Sequence, residues 1–222
     1  MGRADSIQEH IFQQLRDQII HLERLPGSAM SVYEVSDQMG VSRTPVREAF
    51  IRLEAESLVH ILPQRKTQVS KIDFGRVRQE HFLRTALETA ALKTFLEKAG
   101  TAQFGRMRQM IELQKQAAES NDAKRLLAYD DRFHQVIFEV ANQPLSWNVI
   151  HDLNGHDRRV RMMMVRDYGE AQHSIGEHES LLRAFETGDA AGAARRLNVH
   201  LESLIIQENT LREKYADFFE EA

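Results

Sequence analysis

The chain has no cysteine and no long apolar run, and each absence excludes a class of protein or site. Without cysteine there is no disulfide, no thiolate zinc site and no cysteine nucleophile, so a metal ion would have to be held by His, Asp or Glu. No segment approaches the roughly 18 apolar residues of a membrane helix. The first residues lead into a charged helical pattern and lack the apolar core of a signal peptide. We therefore expect a cytoplasmic protein without membrane contact.

Positive charge is not in excess either, so composition alone gives no support to nucleic-acid binding. Residues 1–73 contain nine Lys and Arg against ten Asp and Glu, and the remaining residues contain twenty against twenty-three. With 42% hydrophobic and 28% charged residues, the chain has the composition of a folded protein, and 222 residues suffice for two domains. Any basic surface must be local. Six basic residues do lie close together in the sequence: Arg43, Arg47, Arg52, Arg65, Lys66 and Lys71.

Residues 32–39 have the pattern of a short helix that ends in a tight turn. Val32, Val35 and Met39 recur at helical spacing. Gly40 follows them, and glycine is the residue that a tight turn between two helices favours. The pattern predicts the first helix and the turn of a helix-turn-helix.

A second helix is predicted to begin almost at once after that turn. Thr44 can cap its free backbone donors, with Ser42 as the competing cap, and Pro45 suits the first helical position. Apolar residues then recur at spacings of four and three and are expected to pack inward: Val46, Phe50 and Leu53. Three polar side chains remain on the outward N-terminal end, where they could meet bases and phosphates: Arg43, Thr44 and Arg47.

Together with the turn at residues 25–28 and the segment at residues 53–59, this stretch resembles the GntR family of winged-helix bacterial regulators over about residues 7–70. The resemblance implies a repressor-like or activator-like dimer on operator DNA. It also implies contacts to the major groove or to phosphates by Arg43 and Arg47, with Thr44 nearby. The alternative is an ordinary helix pair whose arginines are simply solvated.

The expected wing departs from the family pattern at one position. Family members usually carry a glycine at the tip of the hairpin, where this chain has Lys66. Arg65 and Lys66 still make the segment basic enough to lie against phosphates or a minor groove. Because a residue other than glycine rarely adopts a positive φ, we expect Lys66 to force a different turn or a looser wing.

The second half is predicted to be entirely helical. From residue 74 onward there is no strand-like alternation, and turn signals divide the sequence into helices with short connections. Short connections favour antiparallel neighbours, so we expect an antiparallel six-helix bundle with a central cavity. The six helices are expected at residues 74–99, 101–119, 122–141, 144–166, 170–187 and 189–215. The fold class is then mainly α, with a winged helix-turn-helix and its small β wing at residues 1–70, a linker at 71–73 and the bundle at 74–222.

Four side chains of this bundle are placed to converge. Asp130 and His134 are four residues apart on one helix and therefore share a face. His178 and His200 each lie eleven residues from Asp189 at the turn between two helices, so they come level in an antiparallel hairpin. One carboxylate and three imidazoles on three inward faces would suit Zn²⁺, Ni²⁺, Mn²⁺ or Fe²⁺, with positions open for water or an anion.

The same sequences resemble the metal-binding form of the FCD domain, which is the C-terminal module of the FadR subgroup, over about residues 74–215. The resemblance rests on residues 130–134, 177–178 and 198–201. It implies one divalent transition metal per chain and a cavity that takes a small carboxylate effector. The implied ligands are Asp130, His134, His178 and His200. Arg84 matches a family arginine that often faces the effector, although an Arg84–Glu88 pair within one helix explains it equally well.

Other candidates are set aside on geometry or for want of partners. Asp131 points about 100° away from Asp130 on the same helix, so it is not taken as a ligand. His151 and His156 are kept only as minor candidates for contact with the cavity. The other histidines are taken as structural or solvent-facing: His10, His21, His60, His81 and His173.

The function predicted from these patterns is a metabolite-responsive DNA-binding transcription regulator that acts as a repressor, and not an enzyme. A metalloenzyme would need a general base beside the ion, and no second acid accompanies the cluster at helical spacing. A metal sensor, in which the ion itself is the effector, is the remaining alternative.

Overall fold

The computed structural model describes residues 3–62 and 66–221, and the regular elements among them are helices except for one small sheet. The strands are β1 (Ala29–Met30), β2 (Val59–His60) and β3 (Thr67–Val69). The helices are α1 (Arg3–Ile20), α2 (Val32–Met39), α3 (Arg43–Ala55), α4 (Phe74–Lys98), α5 (Thr101–Glu119), α6 (Ala123–Val140), α7 (Pro144–Leu153), α8 (Gly155–Val165), α9 (Tyr168–Glu186), α10 (Ala190–Ile206) and α11 (Glu208–Lys214), followed by a 3₁₀ turn at Ala216–Phe218. The predicted fold class, mainly α with a small β wing, is confirmed. None of the helices described combines the length and the apolar character needed to cross a membrane.

The first three helices and the sheet form a winged helix-turn-helix. The sheet is antiparallel with β3 in the centre, so that Ala29 pairs with Gln68 on one side and Val59 with Val69 on the other. Apolar residues from the three helices and the sheet share one core, which includes Ile11, Leu15, Val35, Val46, Phe50, Leu53 and Val69. The inward face predicted for the second helix of the motif is therefore buried as expected.

The turn between α2 and α3 agrees with the sequence, whereas the predicted helix cap does not. Gly40 adopts φ 63° and ψ 33°, a left-handed conformation that favours glycine. The prediction that Thr44 caps α3 was wrong, because the helix begins at Arg43 and Ser42 occupies the N-cap without a side-chain hydrogen bond. Pro45 is then the third helical residue, where a backbone N–H has no partner within the helix, so its missing donor is tolerated.

The second half is a helical bundle whose core is rich in phenylalanine. The pairs α5 and α6, and α9 and α10, are joined by short turns and pack along their length. The turns contain Asn121 and Gly188, both with positive φ, at positions where the sequence predicted breaks. The core includes Phe95, Phe133, Phe138, Ile137, Leu181, Phe185 and Leu197.

Two of the six expected helices are each divided into two. The helix expected at residues 144–166 breaks at Asn154 into α7 and α8, and the one expected at residues 189–215 breaks at Gln207 into α10 and α11. At the first break a distant side chain holds the new helix start: Glu80 on α4 accepts hydrogen bonds from the backbone N–H groups of His156 and Asp157, both at 2.9 Å. The cap itself leaves no local sequence signal, and the local mark of the break is the Asn154-Gly155 dipeptide, on which no break was predicted.

The predicted linker is held against residues near the C-terminal end. Ile72 is buried, its N–H donates to the carbonyl of Phe218, and its own carbonyl accepts from the N–H of Glu220. The ring of Phe74, the next residue but one, stacks on that of Phe219 with centroids 5.0 Å apart. These contacts fix the start of α4 relative to the last helix.

Candidate metal centre and recognition helix

The N-terminal end of α3 presents the polar residues that the sequence predicted for DNA contact. Arg43, Thr44 and Arg47 are exposed, and so is Lys66, which directly precedes β3. Arg65 lies outside the described residues, as do the two positions before it, 63 and 64. The turn that Lys66 was expected to change involves these positions, so its geometry is not described.

An exposed aromatic ring on α2 makes a cation–π contact with one of these arginines. Tyr33 is 65% exposed, and the guanidinium carbon of Arg43 lies 5.3 Å from the centroid of its ring. A cation over an aromatic face is attracted by the ring electrons. Tyr33 was not predicted from the sequence, although a large aromatic residue on the polar face of the first helix of the motif is a signal that could have revealed it.

The four side chains predicted as metal ligands meet inside the bundle. Asp130 and His134 extend from α6, His178 from α9 and His200 from α10, and one ligand atom from each lies within 4.8 Å of the others. All four residues are buried. The Nε2 atoms of the three histidines are 3.2 Å apart for His134 and His200, 3.3 Å for His134 and His178, and 3.1 Å for His178 and His200.

Each of the three imidazoles is fixed through its other ring nitrogen. Every Nδ1 lies within hydrogen-bond distance of an oxygen from a neighbouring helix. The contacts are His134 to Glu88 at 2.7 Å, His178 to the amide oxygen of Gln114 at 2.8 Å, and His200 to Glu177 at 2.8 Å. Because these oxygens accept, Nδ1 carries the proton and Nε2 keeps its lone pair.

The donor set fits a divalent transition ion. Three Nε2 lone pairs that face one another have no proton to share, so they repel unless a cation lies between them. Imidazole nitrogens bound to one ion at about 2.0–2.1 Å are about 3.0–3.4 Å apart, as they are here. An oxygen of Asp130 lies 3.6 Å from Nε2 of His178 and adds a negative charge. Three nitrogens and one carboxylate suit Zn²⁺, Ni²⁺, Mn²⁺ or Fe²⁺.

The electrostatic environment favours the protonation states that metal ligands need. Burial lowers the pKa of both His134 and His178, which keeps these imidazoles neutral. Burial alone would raise the pKa of Asp130, but the neighbouring positive charges together, with Arg161 the largest of them, outweigh burial and hold the pKa of that carboxyl below its usual range. Neutral imidazole and ionised carboxylate are the forms that bind a metal ion.

Asp131 is turned away from the ligand set, toward α8. Its carboxylate accepts from Arg158 at 2.8 Å and from Arg161 at 2.9 Å. Arg161 also donates to Asp130, so one guanidinium holds both aspartates. The sequence analysis gave no role to Arg161, because nothing local to the chain shows that α8 packs against α6.

A cavity of about 50 Å³ opens beside the ligand set. A volume of this size holds about three or four water molecules or a small anion. Asp130 and His200 line it on the metal side, and Arg84 and Arg161 line it as well. The Arg84–Glu88 pair within one helix is present, since the Nε of Arg84 donates to Glu88 at 2.6 Å, while contact of Arg84 with an effector stays a prediction.

Several residues of the cavity wall were not expected from the sequence. The set-aside residues His81 and His173 line the cavity, because α4 and α9 both turn a polar face toward it. His151 and His156, the minor candidates, do not appear in this wall. Further polar lining residues are Glu170, Ser174, Glu177 and Ser203.

Comparison with known proteins gives matches over both halves of the chain. The family described as "Bacterial regulatory proteins, gntR family" matches residues 7–69, and the FCD domain matches residues 81–203. The chain is similar to the HTH-type transcriptional repressor RspR of Escherichia coli K12, with 31% identity over 221 residues, which are 100% of this chain and 97% of that protein. Among solved structures, E. coli McbR/YncC has a TM-score of 0.79 at 21% identity and covers 97% of this chain and 100% of its own. A transcriptional regulator GntR from Rhodococcus sp. RHA1 has a TM-score of 0.78 at 22% identity and covers 91% of this chain and 97% of its own.

Proposed function

Since the chain belongs to the GntR family of bacterial regulatory proteins and carries an FCD domain, we propose that it is a repressor of the FadR subgroup that responds to a metabolite at a metal-anchored site. That it is a DNA-binding transcription regulator follows from the family itself and from relatives that align over the full length. These relatives are transcription regulators, and we propose no catalytic role for the buried cluster.

The convergence of three imidazole nitrogens is the observation that carries the metal proposal. The Nε2 atoms of His134, His178 and His200 lie 3.1–3.3 Å from one another, and each Nδ1 already has an acceptor. Together with Asp130 they would hold one divalent transition ion per chain. When bound, the ion would supply positive charge and open coordination positions for an anion.

The effector that this site favours is a small carboxylate. The cavity borders the ligand set, and two arginines lie in its wall, which is a suitable environment for an anionic group. Of the three guanidinium nitrogens of Arg84, only Nε has a hydrogen-bond partner among the described residues. The two terminal nitrogens could therefore pair with an effector carboxylate. Arg84 would then fix the orientation of the metabolite.

DNA recognition would need two copies of the chain. One recognition helix reads only a few base pairs, so family members of this type bind two half-sites as a dimer. In the proposed complex the exposed end of α3 enters the major groove and the wing lies along the backbone. The residues assigned to this surface are Arg43, Thr44, Arg47, Arg65 and Lys66.

A metal sensor is the second candidate, and one contact favours it. Asp130 is hydrogen-bonded to Arg161 on α8, and α8 packs against α1 of the DNA-binding domain. Occupancy of the metal site could thus reach the DNA-binding domain without a metabolite. The two candidates differ in one measurable respect: in the sensor, metal alone changes operator affinity.

The test is metal content and thermal stability of protein purified without chelator. We expect about one divalent transition ion per chain, loss of most of it in His134→Ala and His178→Ala, and a lower melting temperature for the wild type after chelation, because binding to the folded state stabilises it. His10→Ala, which removes an exposed histidine of α1, is the matched control and should change neither property. Near-zero stoichiometry together with equal melting temperatures would refute the metal site.

A further inference from the structure

Helix α8 is buried on every side although it carries many charges. Nine consecutive residues, from Gly155 to Met163, are buried, and they include three arginines, one histidine and one aspartate. Arginine and aspartate are almost never fully buried unless they are paired. The partners of these side chains therefore show which parts of the molecule α8 joins.

Side chains on one side of α8 contact α6, the helix that carries Asp130 and His134. Arg158 donates to Asp131 at 2.8 Å, and Arg161 donates to Asp131 at 2.9 Å and also to Asp130. Arg161 is 8% exposed, so this contact lies in an environment where a charged hydrogen bond is strong. Asp130 cannot move without changing the contact that Arg161 makes.

The opposite side of α8 holds the DNA-binding domain. Arg159 is two residues from Arg161, about 200° around the helix, and is completely buried. It donates to the carbonyl of Ser70 at 2.7 Å and to the Ser70 hydroxyl at 3.2 Å. The Ser70 hydroxyl donates in turn to the carbonyl of Ser57 at 2.7 Å, and the Ser70 N–H donates to the carbonyl of Leu58 at 3.0 Å. Ser57 and Leu58 come immediately after Glu56, the C-cap of the recognition helix α3.

The start of α8 makes a second set of contacts to the same region. The Nδ1 of His156 accepts from the N–H of Asp73 at 3.1 Å, and its Nε2 donates to the carbonyl of Ser57 at 3.0 Å. Gly155 packs so closely that a Cβ there would lie 2.7 Å from the side chain of Leu58. A shift of α8 would therefore displace the segment behind α3.

Arg161 has a second buried acceptor within reach. Asp157 is four residues earlier on the same face of α8, is fully buried, and neither of its carboxylate oxygens has a hydrogen-bond partner among the described residues. Its Oδ1 lies 4.0 Å from Nδ1 of His81, too far for a hydrogen bond. A buried carboxylate without hydrogen bonds is costly, so moving Arg161 from Asp130 toward Asp157 would relieve one cost while creating another. An alternative acceptor on its own helix is what a second arrangement of Arg161 would need.

We propose that α8 couples the metal centre to the DNA-binding domain, with Arg161 and Arg159 as the positioning residues on its two sides. A change in the position of Asp130 alters its hydrogen bond with Arg161, and α8 shifts in response. The shift then changes the hydrogen bonds that Arg159 donates to Ser70. The coupling depends on the proposed function in one respect only: binding at the metal-anchored site is the event that changes Asp130. The contacts between the two halves do not depend on a metal ion.

The first part of the test uses metal-free protein. Exchange of the Ser70 and Asp73 amide hydrogens reports on the far side of α8, since these N–H groups donate to Leu58 and to His156. Arg161→Gln should accelerate their exchange roughly 2- to 30-fold, the range expected for a residue on a coupling route. Arg132→Gln, which removes an exposed arginine of α6, is the control and should leave the rates unchanged.

The second part uses Zn²⁺ alone as the probe. Adding Zn²⁺ to the metal-free wild type should change the exchange of the same two amides, and Arg159→Lys should remove the response while zinc stoichiometry stays near one. Ser70→Ala, which removes one acceptor of Arg159 without altering α8, should reduce the response and covers the case that Arg159→Lys fails to fold. If Arg161→Gln behaves like Arg132→Gln, the coupling is refuted, whether or not zinc binds. If the wild type binds no zinc but the first part succeeds, the metal proposal fails and the coupling stands.

Discussion

At the scale of single residues, the candidate metal centre depends on the acceptors behind the imidazoles as much as on the imidazoles. Glu88, Gln114 and Glu177 each engage one Nδ1 and so decide that Nε2 carries the lone pair. With the opposite tautomer, the same three histidines would point three N–H groups at one another and could not bind a cation. The orientation of these rings is therefore a property of six residues, contributed by helices far apart in the sequence.

A residue-scale prediction concerns the recognition helix. Arg43→Ala and Arg47→Ala should each weaken operator binding by about 1–3 kcal/mol per half-site if the arginine contacts a base edge. Lys66→Ala, next to the wing, should instead lower the salt dependence of binding, because a phosphate contact releases counterions without reading sequence. Fluorescence anisotropy titrations at several salt concentrations separate the two effects.

The control for this series is Arg106→Ala, which removes an exposed arginine of α5 at a distance from α3. It should bind operator DNA like the wild type. Wild-type affinity in both Arg43→Ala and Arg47→Ala would mean that the end of α3 is a solvated surface, which is the alternative that the sequence left open.

The ligand set could be predicted from the sequence because its geometry is local. Spacing by four residues on α6 and equal distance from the turn between α9 and α10 are both properties of the chain, and the structure brings these four side chains together. The supporting residues could not be predicted in this way. Glu88 is 46 residues from His134, and Arg161 is 31 residues from Asp130, so only the packing of the helices reveals their contacts.

At the scale of helices and strands, the start of α8 depends on a side chain from another helix. Glu80 accepts from two backbone N–H groups there and from Arg76 at 2.9 Å. The sequence predicted the hairpin turns, which glycine and asparagine mark, but not this break. Its cap comes from α4, although the Asn154-Gly155 dipeptide at the break is a turn signal on which no break was predicted.

Glu80 predicts a pH dependence of stability. Burial raises its pKa from 4.5 to about 7, even though the hydrogen bonds from Asp157 and Arg76 act in the opposite direction. The folded state therefore binds a proton more tightly than the unfolded state. By linkage, the contribution of Glu80 to the free energy of unfolding is fully present below pH 4.5 and is lost as pH rises toward about 7, a change on the order of 1–3 kcal/mol.

The measurement is the urea unfolding of wild type and Glu80→Gln at pH 5 and pH 8. The wild type should lose more stability than Glu80→Gln over this interval, and the difference between the two proteins isolates Glu80 from other titrating groups. Glu97→Gln, at an exposed position of α4, should follow the wild type. Parallel pH profiles for wild type and Glu80→Gln would show that Glu80 has an ordinary pKa.

At the scale of the whole molecule, the two halves are joined through more than a linker. Arg16 on α1 donates to the backbone carbonyls of His151 and Asp152 at 2.8 and 3.2 Å, which adds a contact beside those of α8. A regulator works by such connections, because an effector acts on DNA binding only if it favours one arrangement of the two halves over another. Neither the sequence pattern nor the family resemblance indicated this interface.

The last prediction follows from that requirement. A small carboxylate that occupies the metal's open positions and pairs with Arg84 should change operator affinity about 5- to 150-fold, corresponding to a coupling free energy of about 1–3 kcal/mol. Linkage is reciprocal, so saturating operator DNA must change the affinity for the carboxylate by the same factor. The measurement is isothermal titration of the carboxylates that a thermal-shift screen identifies, with and without operator DNA, in wild type and in Arg84→Gln.

Chelation should abolish the coupling and leave DNA binding by the metabolite-free protein largely intact, since the recognition helix does not contact the metal centre. Carboxylate binding that is indifferent to chelation would remove the anchoring role of the ion. A change in operator affinity caused by metal alone would instead identify the protein as a metal sensor.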